Sequence, residues 1–358
     1  MKIVIMAGGT GGHVFPALAV ADVLHARGHE VAWIGTRQGL EASVVPAAGI
    51  PMAWIEVGGL RGKGMATLLQ SPWRIARALA QALGIFRRLR PAAALGMGGF
   101  ASGPGGLAAR LGGCPLVLHE QNAVPGMTNR ILSHVATRVL EGFPGSFASS
   151  RQGEYVGNPV RASIAALPPP EIRLAARSGK PRLLVIGGSQ GAQVLNDCVP
   201  QVLVRLDAAL RPEVWHQTGA RDAQSVAAAY QAYGIPARVV PFIEDMAQAY
   251  AWADLALCRS GALTVAELAT VGLASVLVPF AAAVDDHQTR NAEFLVQAAA
   301  AELLPQMQLS AQTLIPVLGG ILGDRQRLMQ MARRARALAK PDAAVKVAEA
   351  CVQAGGAV

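Results

Sequence analysis

Short runs of β-branched and apolar residues alternate along the chain with longer Ala- and Leu-rich stretches of helical periodicity. That alternation predicts parallel strands wrapped by helices. KIVIM at 2–6, the glycine-rich AGGTGGH at 7–13, a helical stretch at 15–28 and EVAWIG at 30–35 make one strand–helix–strand unit. RLLVI at 182–186, GGSQGA at 187–192, a helical stretch at 193–206 and EVWHQTG at 213–219 make a second, offset by about half the chain. The Pro-rich, charged stretch 165–180 has the composition of a linker. The expected fold is α/β: two Rossmann-like, doubly wound parallel-sheet domains, 1–164 and 181–340, facing each other across a cleft. Residues 341–358 are expected to form a C-terminal helix free to return to the first domain.

Doubly wound sheets bind ligands outside the carboxyl ends of their strands. The residues least suited to packing sit at those ends: GGTGGH after 2–6, GMGGFASGP after 92–95, HEQN after 115–118, GGSQG after 182–186 and CRSGALTVAE after 254–257. Two domains turned together by these edges predict a two-substrate site.

Composition narrows the class. With 358 residues, 52% apolar and 15% charged, the chain has ample core, which excludes a disordered or fibrous protein. Four cysteines without C-x-x-C spacing indicate neither a zinc site nor a disulfide framework, and fit a reducing compartment. Met1 to Met6 is too short for a signal-peptide core, and the uncharged stretches 91–109 and 268–284 are broken by Gly and Pro. A soluble or peripheral protein is expected.

The net charge of +9 is not spread evenly. Between Glu56 and Glu120 there is no acidic residue, while Arg61, Lys63, Arg74, Arg77, Arg87, Arg88, Arg90 and Arg110 supply eight positive charges. The rest of the chain is nearly neutral, so a single basic surface is expected and nucleic acid is not expected as a partner.

A glycine turn from strand into helix presents bare N–H groups and the positive end of a helix dipole, which suits a phosphate. A dinucleotide fails in detail. Gly9, Gly11 and Val14 break G-x-G-x-x-G, and the following strand ends in Gly35-Thr36, without the acid that would hold a ribose diol. The P-loop pattern G-x-x-x-x-G-K-[ST] does not occur either.

Taken together, GGTGGHVFPALA (8–19), GMGGFASGPGGLAA (96–109), HEQNAVPGMTNR (119–130), VGNPVR (156–161), GGSQGA (187–192), FIEDMAQAYAWAD (242–254), CRSGALTVAEL (258–268) and DDHQTRNA (285–292) resemble one family. It is the bacterial UDP-N-acetylglucosamine:undecaprenyl-pyrophosphoryl-MurNAc-pentapeptide N-acetylglucosaminyltransferases of peptidoglycan synthesis. The resemblance implies a GT-B fold and inverting transfer from UDP-GlcNAc to the 4-hydroxyl of the muramyl sugar of lipid I. It also implies a place on the cytoplasmic face of the cell membrane. An alternative on a similar fold is a UDP-GlcNAc 2-epimerase, a soluble isomerase needing no lipid acceptor; it does not explain a localised basic amphipathic segment. A binding adaptor without chemistry is a third reading, disfavoured by His13, Asn122 and the paired glycine loops.

An inverting displacement must remove a proton from the acceptor hydroxyl, and His13, closing the first glycine loop, has a side chain suited to that role. The plainer reading is a histidine that orders the loop. By resemblance, Thr10, Gly11 and Gly12 contact the donor sugar-nucleotide, Ser189 holds the diphosphate and Arg161 contacts the diphosphate region. Asn122 acts near donor and acceptor, with Glu120 a second candidate acid or base. Ile243 reads the uracil edge beside Phe242, and Gln288 contacts the donor sugar. Ala262, Leu263, Thr264, Val265, Ala266 and Glu267 line the nucleotide, with Glu267 on the ribose; the same T-x-x-E spacing also reads as a capping box. No Asp-x-Asp occurs, so no metal and no cofactor is expected. The chain departs from the family pattern in two places: Phe100 stands where relatives often have Tyr, and Ala281 to Ala283 stand where relatives can be polar.

Residues 72–90 place Ile75, Leu79, Ala82, Leu83, Phe86 and Leu89 on one helical face, with Arg74, Arg77 and Arg88 opposite and Trp73 at the margin. Arg87 adds to the cations, and Arg61 and Lys63 precede the helix on a glycine-rich loop. One reading is an ordinary helix with a solvated basic face. The other, favoured by a polyprenyl-linked acceptor, is docking on anionic membrane lipids.

Overall fold

The structure, a computed structural model, describes residues 1–57, 71–147, 153–175, 177–188, 191–281 and 286–356. The chain divides into two compact units, Met1–Arg161 with Pro341–Val358, and Ala162–Lys340.

In the first unit, strands β1 (Lys2–Met6), β2 (Glu30–Gly35), β3 (Met52–Trp54), β4 (Ala93–Gly96), β5 (Leu116–Glu120), β6 (Arg138–Glu141) and β7 (Glu154–Tyr155) form a sheet of order β3-β2-β1-β4-β5-β6-β7. In the second, β8 (Arg182–Ile186), β9 (Glu213–Gln217), β10 (Ala237–Val240), β11 (Leu255–Cys258), β12 (Ala274–Leu277) and β13 (Ala301–Leu303) run in the order β10-β9-β8-β11-β12-β13. Every pairing described is parallel. In each sheet the strand order reverses beside the first strand of the unit, and this is where a doubly wound sheet opens a crevice at its carboxyl edge.

The sheets are covered on both faces, which explains their continuous apolar strands. Along β1, Ile3 and Ile5 enter one core together with the helix Gly11–Ala26. Val4 and Met6, pointing the other way, enter a second core with the helices Ser71–Leu89 and Ser102–Leu111. The C-terminal helix Ala343–Ala354 lies in the first unit, where Val347, Ala348, Ala350 and Cys351 are buried against Ile3 and Leu24 in the first of these cores.

Residues 165–180, linker-like in composition, belong to the second unit. The reason is that two of their cations act as internal clasps. Arg173 donates to the carbonyls of Ala253 (2.9 Å) and Gly272 (2.7 Å), and Arg177 to those of Trp252 (2.8 Å) and Ala251 (2.5 Å). These carbonyls lie at the carboxyl ends of helices, where acceptors are left over and cations are favoured.

The helix at 71–89 packs through Ala78, Ala82, Ile85 and Phe86, with Leu79, Leu83 and Leu89 half-buried. Ile75, expected on the buried face, is exposed: residues 73–77 meet solvent on every side, and packing begins at Ala78.

Candidate active site

In the first unit the chain leaves β1 through Gly8 and Gly9, the latter with φ of +93°, a conformation that favours glycine. Glu41, fully buried, holds this turn: it accepts from the N–H of Gly9 (2.9 Å) and from the N–H and hydroxyl of Thr36 (3.0 and 2.8 Å). A Cβ on Gly8, Gly35 or Gly39 would fall within 2.8 Å of that side chain. Thr10 is the N-cap of the helix beginning at Gly11, yet its hydroxyl closes no cap, so Gly11 and Gly12 form a helix start without a side-chain cap.

His13, half-buried in this first turn, places Nδ1 2.9 Å from Oε1 of Gln121. Its ring lies over Gly98 (φ +92°), where a Cβ would come within 2.8 Å of its Cε1. Asn122 follows β5, and its N–H and side-chain amide both donate to Oε1 of Glu120 (2.9 and 3.2 Å). Oε2 of Glu120 accepts from the Gly126 N–H (3.1 Å) and the Asn129 amide (2.9 Å). Glu120 is therefore not an available acid or base: it is buried and occupied in folding the loop that presents Asn122. Arg161 is stacked over the Phe15 ring, 5.4 Å from its centroid.

In the second unit the glycine turn after β8 is held by a neutral amide. Gln217, buried at the end of β9, accepts from the Gly188 N–H (3.1 Å) and donates to the carbonyls of Gly188 (2.8 Å) and Pro241 (3.2 Å). Gly191 (φ +77°) passes so close to the Thr218 carbonyl that a Cβ would lie 2.0 Å from its oxygen. Ser189, between these glycines, lies outside the described residues, as do Arg61, Lys63, Ala282, Ala283 and Asp285.

The segment Ala262–Glu267 forms the first two turns of the helix Ala262–Val271. The capping-box reading of Thr264 and Glu267 is overturned, because the helix starts two residues before Thr264 with Gly261 at its N-cap, and no side chain caps it. Val265 and Glu267 point inward, while Leu263, Thr264 and Ala266 are half-exposed and Ala262 is buried. Glu267 Oε2 accepts the Tyr250 hydroxyl at 2.9 Å. Ile243 is buried beside an exposed Phe242. Gln288, in the first turn of the helix His287–Val296, accepts the Phe280 N–H through Oε1 at 2.9 Å. Among the described residues no cluster of three His, Cys, Asp or Glu is placed to hold a metal ion.

On the helix at 71–89, Trp73, Arg74, Arg87 and Arg88 are exposed. Arg77 is paired with Glu56 at 3.0 Å.

Sequence reasoning missed Glu41, Gln121 and Gln217. Each is recognised by backbone groups or rings distant in the chain, and the only local sign was the glycines at 8, 35 and 39, which leave room for the Glu41 side chain.

Comparison with known proteins extends this geometry to the whole chain. The glycosyltransferase family 28 N-terminal domain matches residues 3–141, and the family 28 C-terminal domain matches residues 182–347. The UDP-N-acetylglucosamine--N-acetylmuramyl-(pentapeptide) pyrophosphoryl-undecaprenol N-acetylglucosamine transferase of Nitrosococcus oceani is 54% identical over 99% of this chain and 98% of its own. The crystal structure of MurG from Acinetobacter baumannii superposes with a TM-score of 0.85 at 39% identity, over 98% of this chain and 99% of that one. A UDP-N-acetylglucosamine 2-epimerase also superposes, with a TM-score of 0.66 over 99% of this chain and 97% of that one, but at 12% identity that likeness is of fold alone.

Proposed function

Because the chain belongs to glycosyltransferase family 28, and within it to the lipid I N-acetylglucosaminyltransferases, we propose that it transfers N-acetylglucosamine from UDP-GlcNAc to the 4-hydroxyl of the MurNAc of lipid I, making lipid II. Its two parallel-sheet domains are those of a GT-B fold. The observation that carries the reading is a likeness running through both units at an identity too high to be one of fold only. Nothing comparable supports the epimerase alternative, which is set aside.

The transfer inverts the anomeric carbon in one displacement. His13 takes the proton of the acceptor hydroxyl as the new C–O bond forms and the bond to UDP breaks. Asn122, carried on the loop that Glu120 organises, orients the reacting sugars beside it. The N–H groups at Thr10, Gly11 and Gly12, at a helix start without a side-chain cap, meet the donor sugar-nucleotide, and Arg161, its guanidinium over the Phe15 ring, faces the diphosphate region. In the second unit, the Gly187–Gly191 turn with Ser189 and the helix start after Ala192 receive the departing diphosphate. The uracil lies at Ile243 and Phe242, and the segment from Ala262 through Leu263, Thr264, Val265 and Ala266 lines the nucleoside. Glu267, oriented by Tyr250, accepts the ribose hydroxyls. Gln288, whose oxygen is taken by Phe280, offers its NH2 to the donor sugar.

The acceptor's polyprenyl tail requires work at a bilayer, here at the cytoplasmic face of the inner membrane. No helix among the described residues is long and apolar enough to cross one. Trp73 and Ile75 at the exposed end of the helix at 71–89, with Arg74, Arg77, Arg87 and Arg88, provide apolar insertion and attraction to anionic lipids of about 1 kcal/mol per cation.

The test is incubation with UDP-GlcNAc labelled in the sugar, with and without a lipid I analogue. Label appearing in the lipid only when the analogue is present is the expected result. Conversion of the sugar without acceptor, or binding without turnover, overturns the reading.

A further inference from the structure

We infer that His119 and Gln121 are positioning residues that fix the tautomer of His13, so that its proton sits on Nδ1 and Nε2 is the bare nitrogen. The use of that bare nitrogen as a base rests on the transferase reading above; its existence does not.

The relay runs outward from the interior through groups that donate and groups that accept. His119 is fully buried on β5, with Nε2 2.9 Å from the carbonyl oxygen of Gly157. A carbonyl only accepts, so this nitrogen carries the proton. Burial, reinforced by the proximity of His13 and partly opposed by the Gly157 carbonyl, holds the His119 pKa down at about 4, so near neutral pH its Nδ1 is bare. That bare nitrogen lies 3.3 Å from Nε2 of Gln121. The same Gln121 nitrogen is 3.4 Å from the His119 carbonyl oxygen and 3.8 Å from the Met97 sulfur, both acceptors. All three neighbours therefore require the NH2 end of the amide on the inner side, and Oε1 is left facing outward. This oxygen is the atom 2.9 Å from Nδ1 of His13. It can only accept, so Nδ1 of His13 carries the proton, and the neutral ring has none left for Nε2.

The surroundings leave this ordering undisturbed. Gly98 packs against the ring without a side chain to displace it. Among the charged groups of neighbouring segments, Glu41 is bound to Gly9 and Thr36, Glu120 to the loop 122–129, and Arg161 is stacked on Phe15. His13 is thus oriented by a neutral amide, unlike a base paired with a carboxylate, where the partner's charge also stabilises the imidazolium.

The experiment is nitrogen NMR of the full-length protein labelled with 15N-histidine, about two pH units above the ordinary histidine pKa. The His13 signals are assigned by their loss in His13→Asn. A protonated Nδ1 with a bare Nε2 is expected, and the reverse pattern overturns the proposal without touching the transferase reading. Conversely, absent transfer with the expected tautomer removes the function and leaves the relay. In Gln121→Leu the tautomers should mix and kcat should fall about 10- to 100-fold, a typical loss for an orienting residue, with little change in acceptor KM. Gln121→Glu places a carboxylate beside the ring and should move the acid limb of the kcat/KM profile upward by about one pH unit or more. An unmoved limb would mean that Gln121 is only packing, and would sink the idea even if activity dropped.

Discussion

In the first unit the glycine turn after the first strand is held by a carboxylate, whereas in the second the equivalent turn is held by a neutral amide. Glu41 consumes the Gly9 N–H and adds a negative charge beneath the loop. Gln217 satisfies both the N–H and the carbonyl of Gly188 and adds none. The difference runs on along the carboxyl edges. Glu120 and Glu141, paired across β5 and β6, each gather backbone N–H groups of the loops that follow them. In the second unit Arg259 donates instead to the carbonyls of Val278 and Pro279 after β12. Like charges about 4 Å apart near a protein surface repel by about 4 kcal/mol. One strand order thus carries two ways of fastening its loops, carboxylates in the first unit and an amide and a guanidinium in the second.

The largest effect should come from exchanging those fasteners. Gln217→Glu puts a charge at a site 3% exposed, loses the donor to Gly188 and Pro241, and sets a carboxylate beside the glycine turn proposed above to receive the diphosphate. The KM for UDP-GlcNAc should rise about 100-fold, equivalent to about 3 kcal/mol, and the unfolding free energy should fall by a similar amount. The mirror change, Glu41→Gln, leaves one half-buried N–H facing an NH2 group and should cost about 1 kcal/mol of stability while donor KM stays within a few-fold. Equal shifts of donor KM in the two variants, measured by initial rates, would erase the contrast between the loops.

Beneath the loops the units are alike, since each buries a neutral histidine in its sheet. Burial holds His119 at about 4 and His216, on β9 beside the Tyr230 hydroxyl, at about 3. Both lie below the ordinary value of 6.5, so as pH falls the unfolded chain takes up these protons first. The stability they allow is complete above about pH 6.5 and drains away as pH falls toward about 4 for His119 and about 3 for His216. Denaturation midpoints at about pH 7 and about pH 5 should differ by the equivalent of a few kcal/mol, with a shallower dependence in His216→Phe. An unchanged slope in that variant would place the whole effect in the first unit.

What the sequence made legible was whatever is local and periodic. The strands at 2–6, 30–35, 182–186 and 213–217, both glycine turns and the helix at 71–89, expected at 72–90, follow from residue spacing alone, whereas the outer strands Met52–Trp54, Arg138–Glu141, Glu154–Tyr155, Ala237–Val240 and Ala301–Leu303 were not expected. The fasteners were hidden because their partners are distant: Glu41 meets Gly9 across 32 positions, and Gln217 meets Gly188 across 29. Thr264 misled because the T-x-x-E spacing fits a cap equally well two residues inside a helix, and only the turn at Gly261 decides where the helix starts. Glu120 looked like an available acid because the donors from Gly126 and Asn129 fold back onto it from beyond the loop.

The smallest effect concerns the surface, where the same kind of ion pair occurs in both units. Arg77–Glu56 (3.0 Å) and Arg333–Glu171 (2.8 Å) are exposed pairs, each partner retaining 46–65% of its side-chain exposure. Pairs of this kind contribute less than about 1 kcal/mol, so Glu56→Gln and Glu171→Gln should both leave the unfolding midpoint nearly unchanged. Their effects on membranes should differ. Glu56 is the last acid before the 57–119 run, and its loss frees Arg77 beside Trp73 and Arg74, adding about 1 kcal/mol of attraction to anionic lipid, or roughly fivefold in vesicle partitioning at low salt. Glu171→Gln frees Arg333 on the helix Arg325–Ala337, which is rich in arginine but exposes no large apolar residue to insert, and should leave partitioning nearly unchanged. Raising the salt should abolish the gain from Glu56→Gln, since exposed charges are screened over about 10 Å at 0.1 M. If both variants bind vesicles more tightly by the same factor, net charge alone governs docking, and the helix at 71–89 has no special part in it.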